Sequence, residues 1–448
     1  MKPLNLLRWL VIFSLLLPAL AVSASPPAPG TPSGERTASA RSNTAADWLH
    51  FGYDSSYTAH NTIESTLSIT NVSKLERKWG IGCDDGYFSV ISRSPAVYNG
   101  KLYTSGAGSK LTAYNARTGQ KLWQFGSGNL GWAPQPVASE DGLVFYMEGS
   151  SGLYNLYAVN ADSGSKVWEA PLAFNMSFND TALVTVDEAK GLVYLVETPF
   201  IEDGKLYALN KQTGEIAWSK SKPIDGVAFK GDYVLLNGGR LFALADAPMS
   251  GYPDHGDHML KIDTTSHAIE TTFNRPKPEG YYAIKQYTLC NDRLVVNFDY
   301  QYDPVKLLVA YDPISPTIAW QKPFSETTGT IACNKDKNLI YVPTDPYLYA
   351  LDATTGAEVW KYTGYGAIYN PSIANDIVYF LSDTNMYAIN EDTRERLFRY
   401  PLGYESYETT QVAIAGGMLY FSGNGGTCDL FALGLPGPKV FLPLVVKP

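Results

Sequence analysis

The sequence has few of the residues and motifs that most often carry chemistry. Its 448 residues include 4 Cys and 5 His, and no two cysteines have the C-x-x-C spacing typical of metal sites. It also contains no G-x-S-x-G elbow, no H-E-x-x-H helix and no Gly-rich loop suited to a phosphate group. These absences exclude the commonest sequence signatures of serine hydrolases, zinc proteases and nucleotide-binding enzymes.

Positive charge is scarce as well. The formal net charge is -9 and the sequence pI is about 5.2. A nucleic acid or an anionic membrane surface binds a basic face, which this composition does not favour. We therefore expect a soluble, acidic protein with no nucleic-acid partner.

Only one long apolar run is present, and it lies at the N terminus. Two basic residues precede an apolar stretch at residues 9–22, and small residues follow up to Ala24. This order is typical of a secretory signal peptide, and the stretch is shorter than the roughly 20 residues of a spanning helix. We predict a signal peptide at residues 1–24, no membrane span after its cleavage, and a secreted or cell-surface location in a bacterium. Residues 25–46, rich in Pro, Ser, Thr and Ala, are predicted to form a flexible linker.

The sequence is rich in one repeated pattern. Residues 349–360 read YALDATTGAEVW, and close variants occur at residues 113–123, 158–168 and 208–218. In each copy apolar residues alternate up to an Asp or Asn, a Thr-Gly or Ser-Gly turn follows, and alternation resumes toward a Trp. The pattern predicts a β-hairpin that ends in a large aromatic residue.

The pattern A-x-[DN]-x-x-[TS]-G-x-x-x-W resembles the tryptophan-docking repeat of the pyrroloquinoline-quinone (PQQ)-type β-propellers. That family contains both quinoprotein dehydrogenases and non-catalytic scaffolds. The resemblance implies that each Trp packs between neighbouring blades, because stacked repeats need a continuous core. The residues expected in this structural role are Trp79, Trp123, Trp168, Trp218, Trp320 and Trp360.

Blade-closing aromatic residues occur at positions 79, 123, 168, 218, 273, 320, 360 and 398. They predict an all-β fold, an eight-bladed β-propeller of four-stranded antiparallel blades, over residues 47–435. The last blade has no outer strand of its own. Residues 75–79 are expected to supply this strand and to close the ring, which removes two exposed sheet edges.

Three blades depart from the pattern. The Gly of the repeat turn is replaced by His267 in blade four, by Pro316 in blade five and by Arg394 in blade seven. Because these residues do not favour a positive φ, their turns are expected to differ in geometry. In blade four the turn between the inner and second strands is expected at Gly231 and Asp232.

Four cysteines in an exported chain indicate disulfides. The predicted blade map places Cys83 four residues after the closing strand of the last blade and Cys428 just before its third strand. These two strands should be neighbours, so we expect a bond between Cys83 and Cys428 that joins the two ends of the domain. Cys290 and Cys333 fall at equivalent inner-strand positions of neighbouring blades. The sequence leaves open whether these two pair or remain buried thiols.

The connections at one end of the predicted propeller are long and rich in aromatic residues. Aromatic side chains beside acidic ones suit sugar rings, basic peptides or another protein, and loop-on-loop packing is the alternative role. The residues expected to bind such a ligand are Tyr87, Trp132, Tyr281, Tyr282, Tyr365, Tyr369, Tyr404 and Tyr407.

A short polar cluster in blade four contains Asp254, His255, Asp257 and His258. Imidazole and carboxylate groups can bind a divalent metal. Consecutive loop residues without a fixed scaffold are a weak metal signal, so a polar hairpin tip is the favoured interpretation.

The resemblance implies two alternative functions. Quinoprotein dehydrogenases of this family hold PQQ and calcium on the propeller axis, usually beneath a disulfide between adjacent cysteines. This sequence has no adjacent Cys pair, and the family's calcium ligands match none of its positions. We therefore expect a secreted, monomeric, non-catalytic propeller that binds a protein or polysaccharide and needs no cofactor. The alternative is a divergent PQQ-dependent oxidoreductase that also binds calcium. Residues 436–448 form a C-terminal tail, either an attachment signal or a strand on the rim.

Overall fold

Alternating apolar residues and short polar turns form eight four-stranded antiparallel sheets, arranged as the blades of a β-propeller. The predicted fold class is confirmed. The computed structural model describes residues 47–81, 94–105, 110–128, 135–150, 153–172, 183–197, 204–221, 223, 228–246, 257–274, 276, 282–300, 306–325, 329–402, 411–422 and 430–437. In these residues the only helical element is the 3-10 turn Val72–Lys74, and no helix has the length and apolarity to cross a membrane.

Each blade runs from an inner strand through a second and a third strand to an outer strand. The strands of blade one are Ala96–Tyr98, Lys101–Ser105, Leu111–Asn115 and Lys121–Phe125. Those of blade two are Val137–Ala138, Leu143–Ser150, Leu153–Asn160 and Lys166–Leu172. Those of blade three are Thr185–Asp187, Leu192–Glu197, Lys205–Asn210 and Ile216–Ser221. Those of blade four are Ala228–Asn237, Arg240–Asp246, Asp257–Asp263 and Ile269–Thr272.

The remaining blades follow the same order. The strands of blade five are Tyr282–Cys290, Arg293–Tyr300, Lys306–Tyr311 and Ile318–Phe324. Those of blade six are Ala332–Asn334, Leu339–Pro343, Tyr347–Asp352 and Glu358–Thr363. Those of blade seven are Ile368–Ala374, Ile377–Ser382, Asn385–Asn390 and Arg396–Pro401. Blade eight contributes Ala413–Ala415, Met418–Ser422 and Leu430–Gly434.

Blade eight is completed from the other end of the chain. Its outer strand is Glu76–Ile81, which pairs antiparallel with Leu430–Gly434 and places Trp79 opposite Ala432. The predicted ring closure is therefore confirmed, one residue later at its start than expected. This pairing joins both ends of the domain in one sheet and leaves no unpaired edge between the first and last blades.

The blade topology gives the propeller two different ends. Connections from inner to second strands and from third to outer strands emerge at one end, which we call the plain face. Connections from second to third strands and from one blade to the next emerge at the other end, the loop face. The short turns of the plain face are mostly described, whereas many loop-face connections lie outside the described residues.

The outer-strand tryptophans lie between blades. Within its own blade Trp123 packs on Tyr103 at 5.8 Å between ring centroids, and other blades repeat this pair. The indole N–H then donates to a carbonyl in the third-to-outer turn of the next blade. These bonds join Trp79 to Ala116 (3.0 Å), Trp123 to Ala161 (3.3 Å), Trp168 to Lys211 (2.8 Å) and Trp320 to Ala353 (2.9 Å).

The glycine of the repeat turn lies against the indole of the preceding blade. A Cβ added at Gly164 would lie 2.6 Å from the ring of Trp123, and one at Gly214 would lie 2.5 Å from the ring of Trp168. Gly119 and Gly356 make the same approach to Trp79 and Trp320, and all four glycines have positive φ. The turn therefore needs glycine for two reasons, its backbone conformation and the close contact.

Two expectations about irregular blades are wrong. His267 and Arg394 keep the left-handed backbone of the glycine they replace, with φ of 59° and 62°. In blade four the inner strand continues through the expected turn, which lies instead at Gly238 and Gly239. The pairing of this strand shifts register between Lys230 and Leu235, as a β-bulge does, so the strand gains residues without ending.

A disulfide joins Cys290 and Cys333, whose Cα atoms are 5.5 Å apart. The bond links the inner strands of blades five and six, and it answers a question that the sequence leaves open. Cys83 and Cys428, predicted to form a second disulfide, lie outside the described residues.

We predict that Gly164→Ala lowers the free energy of unfolding by about 2–4 kcal/mol, because it adds both left-handed strain and overpacking against Trp123. Gly100→Ala is the matched control, since Gly100 has a φ of 73° with nothing within 4 Å of the added Cβ. The control should lose only about 1–2 kcal/mol, the cost of the left-handed backbone. Chemical denaturation of both variants measures the difference, and equal losses would contradict a role for the indole contact.

Candidate functional site

Residues 47–64 form a strap that winds around the propeller axis at its plain-face end. Its backbone and side chains bind the inner strands of seven of the eight blades in succession. The bonds join Trp48 to Val97 (2.8 Å), Leu49 to Ala138 (2.8 Å), Ser55 to Leu236 (2.9 Å), Ser56 to Leu289 (3.1 Å), Thr58 to Cys333 (2.8 Å), Ala59 to Ile373 (2.8 Å) and Asn61 to Ile414 (2.7 Å). The strap thus closes the axis from the plain face.

The strap has an unusual backbone that its own hydrogen bonds support. Tyr57 and Ala59 both have a φ of 57°, a conformation that non-glycine residues rarely adopt. The Asp54 carboxylate accepts hydrogen bonds from the backbone N–H groups of Ser56 (3.1 Å) and Thr58 (3.0 Å). The Ala59 N–H donates to the Gly52 carbonyl at 2.8 Å and closes this segment into a compact loop.

The strap binds the same position of each inner strand, so the residues three positions earlier also surround the axis. Three residues of an extended strand span about 10 Å, which places this set on the loop-face side of the strap. We call the set the axial ring; blade three, which has no strap bond, is aligned through its turn. The axial ring consists of Ser94, Gln135, Leu183, Tyr233, Gln286, Thr330, Asn370 and Gln411. None of these side chains is charged.

In blades five to eight the axial ring links each blade to its neighbour. The Gln286 side chain exchanges two hydrogen bonds with the Ile331 backbone, donating from Nε2 at 3.2 Å and accepting at Oε1. Asn370 Oδ1 accepts from the Thr330 backbone N–H at 2.8 Å. Gln411 Oε1 accepts from the N–H of Gly52 in the strap at 2.9 Å. These amides therefore hold the circumference of the axis and the strap in one network.

Blades one and two interrupt that network. Gln135 is 4% exposed, and among the described residues neither its Nε2 nor its Oε1 has a hydrogen-bond partner. Ser94 is fully buried with an unpaired Oγ, and the indole N–H of Trp48 in the strap is also unpaired. An unsatisfied buried polar group costs about 1–3 kcal/mol. Ser94 and Gln135 occupy the same axial-ring position in neighbouring blades, so they indicate a place where a ligand supplies the missing partners.

Blades three and four line the axis with apolar and aromatic groups. Tyr57 of the strap stacks on Tyr233 with ring centroids 4.3 Å apart, and Tyr233 stacks on Tyr287 at 4.6 Å. The Tyr233 hydroxyl donates to the Tyr287 carbonyl at 3.0 Å, which fixes both rings. The bulge in the inner strand of blade four places Tyr233 in this stack. The three rings thus form one buried aromatic stack that joins the strap to blades four and five.

The strap adds no positive charge to this region at neutral pH. Burial lowers the pKa of His50 to about 4, although the nearby Asp54 carboxylate acts in the opposite direction. Burial also lowers the pKa of His60, against the effect of Asp336. Both imidazoles are therefore neutral at pH 7. The axial chamber, formed by the axial ring above the strap, is uncharged in its described part.

The residues predicted from the sequence to bind a ligand are not brought together in the described structure. Tyr365 is 68% exposed, stacks on Tyr387 at 5.9 Å and accepts a hydrogen bond from Arg396 at 3.2 Å. Tyr369 packs against the apolar layer between blades seven and eight. Tyr282 begins the inner strand of blade five. The others, Tyr87, Trp132, Tyr281, Tyr404 and Tyr407, lie outside the described residues.

Of the four metal candidates in blade four, two are described in the structure and two are not. Asp257 is buried and pairs with Lys230 at 2.5 Å, and it accepts a hydrogen bond from the Ile284 N–H at 2.6 Å. Its carboxylate therefore joins blades four and five. His258 lies in the third strand, whereas Asp254 and His255 lie outside the described residues. In the described part of the chain no three His, Cys, Asp or Glu side chains are grouped as metal ligands.

Sequence reasoning missed the axial ring because its members differ from blade to blade. One signal was available in the dipeptides Ser94-Pro95, Gln135-Pro136 and Asn370-Pro371, which stand at the same distance from an inner-to-second turn. A proline there removes a backbone donor, and it disfavours a helical backbone at the preceding residue. Asn370 has a φ of 44°, so the shared feature of the three dipeptides is the missing donor. Alignment on the turns rather than on the tryptophans would have revealed this set.

Comparison with known proteins identifies similar chains. The family model described as outer membrane protein assembly factor BamB matches residues 32–191, 107–251 and 306–432. The quinoprotein alcohol dehydrogenase PedH of Pseudomonas putida is 23% identical over 314 residues, which are 65% of this chain and 51% of that protein. BamB of Burkholderia pseudomallei is 24% identical over 285 residues, 60% of this chain and 65% of that protein.

Solved structures show the same architecture. The quinohemoprotein alcohol dehydrogenase ADHIIG of Pseudomonas putida HK5 aligns with a TM-score of 0.66 and 13% identity, covering 90% of this chain and 82% of that one. At so low an identity, the structural similarity shows a shared fold. The chain spans about half the length of the quinoprotein relatives it matches by sequence.

These similarities correct two expectations, a non-catalytic function and the absence of a cofactor. The matched relatives include several alcohol dehydrogenases named as quinoproteins or quinohemoproteins. The sequence-based interpretation is therefore wrong, and its alternative is the better supported one. It gave too much weight to two missing features, the adjacent cysteines and the calcium ligands of the family.

We predict that protonation of His50 destabilises the protein in mild acid. Its folded pKa of about 4 lies below the ordinary value of 6.5, so below pH 6.5 the unfolded chain binds a proton that the folded chain does not. Stability attributable to His50 is therefore complete above pH 6.5 and is lost as the pH falls toward 4, by on the order of 3 kcal/mol.

The measurement is the unfolding free energy of wild type and His50→Asn at pH 7 and pH 4.5. The difference between the two proteins should shift in favour of the variant at the lower pH. A difference that is the same at both pH values would contradict the assignment.

Proposed function

Because the chain belongs to the family of PQQ-type β-propellers whose model is described as assembly factor BamB, we propose that it is a quinoprotein oxidoreductase that oxidises an alcohol with PQQ bound in the axial chamber. One observation carries this proposal. The axis of the propeller contains two buried polar side chains, Gln135 and Ser94, whose polar atoms have no hydrogen-bond partner in the described part of the chain. A quinone with several oxygen atoms has the hydrogen-bond acceptors that the donors of Gln135 and Ser94 lack.

The chemistry of the chamber fits the organic cofactor. Gln135 Nε2, Ser94 Oγ and the indole N–H of Trp48 are donors available to quinone and carboxylate oxygens. Tyr233 is assigned no contact with the cofactor, because its ring already stacks on both Tyr57 and Tyr287. When bound, the quinone accepts two electrons and the accompanying protons from the alcohol. The described residues provide no calcium ligand set, so no residue is assigned to that ion.

The chain's own residues shape this chamber. The strap excludes water from the plain-face side, so substrate enters from the loop face. Gln286, Asn370 and Gln411 fix the circumference of the axial ring through bonds between blades and to the strap. Rigid hydrogen-bonding groups at a buried site strengthen each hydrogen bond to a bound anion.

Two further features of the chain remain predictions. Export through the signal peptide at residues 1–24 agrees with an oxidising compartment for the Cys290–Cys333 disulfide. N-terminal sequencing of the secreted protein should begin at Ser25. The tail at residues 436–448 is proposed as an attachment signal, which cell fractionation of a truncated protein would test.

We predict that the purified protein binds PQQ in the presence of calcium and then oxidises primary alcohols with an artificial electron acceptor. Cofactor binding is measured by absorbance titration, and turnover by dye reduction with a series of alcohols. No PQQ binding with and without calcium would contradict the proposed function.

We predict that Gln135→Leu separates binding from stability. The variant removes an unpaired buried amide, so the free protein should be stabilised by about 1–2 kcal/mol and melt a few degrees higher. It should bind PQQ roughly 10- to 100-fold more weakly, because hydrogen bonds to charged groups are worth about 1.5–3 kcal/mol.

Gln120→Leu at an exposed turn is the control and should change neither quantity appreciably. A Gln135→Leu protein that melts lower and binds PQQ normally would show that the amide has a structural role alone.

A further inference from the structure

Blade six carries an aromatic pair that the other blades lack. Tyr347 and Tyr349 lie on the same face of its third strand, three and one positions before the alanine of the repeat, with ring centroids 5.8 Å apart. Tyr349 packs edge-on against Phe324 of blade five at 5.3 Å. Other blades that share the alanine have, at the position of Tyr347, Lys110, Asn155, Lys205, Leu307, Asn385 and Asp429.

The position of Tyr347 is fixed on several sides. Its carbonyl accepts hydrogen bonds from the backbone N–H of Thr344 at 2.7 Å and from the Thr344 hydroxyl at 2.9 Å. The ammonium of Lys361 lies 4.8 Å from the centre of its ring. The ring is half-buried and needs no ligand to hold it in place.

The pair borders a groove of about 250 Å³ at the outer seam between blades five and six. The groove is also lined by Phe324, Lys322, Glu358 and Asp345. Lys322 and Glu358 face each other at 3.9 Å, so each leaves hydrogen-bonding capacity for a third group. Aromatic walls are thus combined with a cation and carboxylates in one small space.

The charges around this groove balance. Lys322 and Lys361 are matched by Asp345 and Glu358. A strongly basic or acidic ligand gains little from such a surface, whereas a neutral ligand with many hydroxyl groups can donate to the carboxylates and accept from the amines. The C–H face of a pyranose ring packs on an aromatic ring, and its hydroxyl groups lie around the edge.

We propose that this groove is a binding site for a neutral glycan, separate from the axial chamber. The two tyrosine rings hold one sugar ring, and Lys322 and Glu358 bind its hydroxyl groups. The site lies on the outer rim of the propeller, so it can hold a polysaccharide chain while the axis remains open at the loop face. The proposal does not depend on PQQ binding.

The test is a binding titration of the full-length protein without cofactor against neutral oligosaccharides of glucose, xylose, mannose, galactose and N-acetylglucosamine. Wild type should bind at least one of them. Tyr347→Ala should weaken that binding about tenfold, because an aromatic contact of this kind is worth about 1–1.5 kcal/mol. Tyr347→Phe should retain the affinity within about twofold, since it keeps the ring.

Tyr157→Ala, which removes a partly buried tyrosine from the third strand of blade two, is the matched control and should bind like wild type. Melting curves of the three variants establish that each is folded. The proposal is overturned if wild type binds no neutral oligosaccharide at about 10 mM, the range of weak single-site affinities. It is also overturned if Tyr347→Ala binds the oligosaccharide normally. A basic peptide that displaces the bound oligosaccharide and binds more tightly would overturn it as well.

Discussion

The contact between an indole ring and the glycine of the next blade sets the geometry of the whole propeller. The ring of Trp123 leaves no room for a Cβ at Gly164, and its N–H donates to the carbonyl of Ala161 three residues earlier. One contact thus fixes both the separation and the relative height of two blades. Repetition of that contact turns each blade by a similar amount, and the ring closes when Glu76–Ile81 completes the last sheet. Where His267 replaces the glycine, its ring stacks on Trp218 at 4.4 Å and the indole N–H is left unpaired. The fold therefore tolerates a different side chain there at the cost of one hydrogen bond.

Equal blade spacing explains why a single strap can close the axis. The inner strands present the same backbone position to the axis in blade after blade, so one continuous segment can bind seven of them in succession. The strap itself has no symmetry, however, and its side chains meet a different residue in each blade. Gly52 meets an amide at Gln411, and Tyr57 meets an aromatic ring at Tyr233. A regular scaffold thereby acquires an asymmetric chamber, which is what selective binding of a small molecule requires.

The sequence predicts the scaffold well because one packing constraint, the contact between the Trp and the repeat turn of the next blade, selects the same residues in most repeats. Trp360, Gly356 and Asp352 belong to a pattern whose copies confirm one another, and even the closing strand follows from the count of blades. The candidate site could not be found in this way. Gln135 is an ordinary residue in the sequence, and its importance depends on burial and on partners that only the assembled ring defines. The site predicted from exposed aromatic residues stays a prediction, since five of its eight residues lie outside the described part of the chain. The pairing of Cys290 with Cys333 was undecided for the same reason, because it depends on the distance between two strands rather than on spacing along the chain.

The axial ring itself indicates that the polarity of Gln135 is not needed for folding. Leu183 holds the equivalent position in blade three, where it belongs to a buried apolar cluster with Phe51 and Tyr57. The fold therefore accepts a purely apolar side chain at this height of the axis, and such a residue avoids the desolvation cost of an unpaired amide. The amides of Gln286 and Gln411 offset the desolvation cost of their burial through hydrogen bonds to neighbouring backbone groups. Gln135 makes no such bond, so in the free protein its polar atoms lower stability. A group that weakens the free state and lies on the axis regains that free energy only when a ligand supplies the missing partners, which is the physical ground for placing the cofactor beside it.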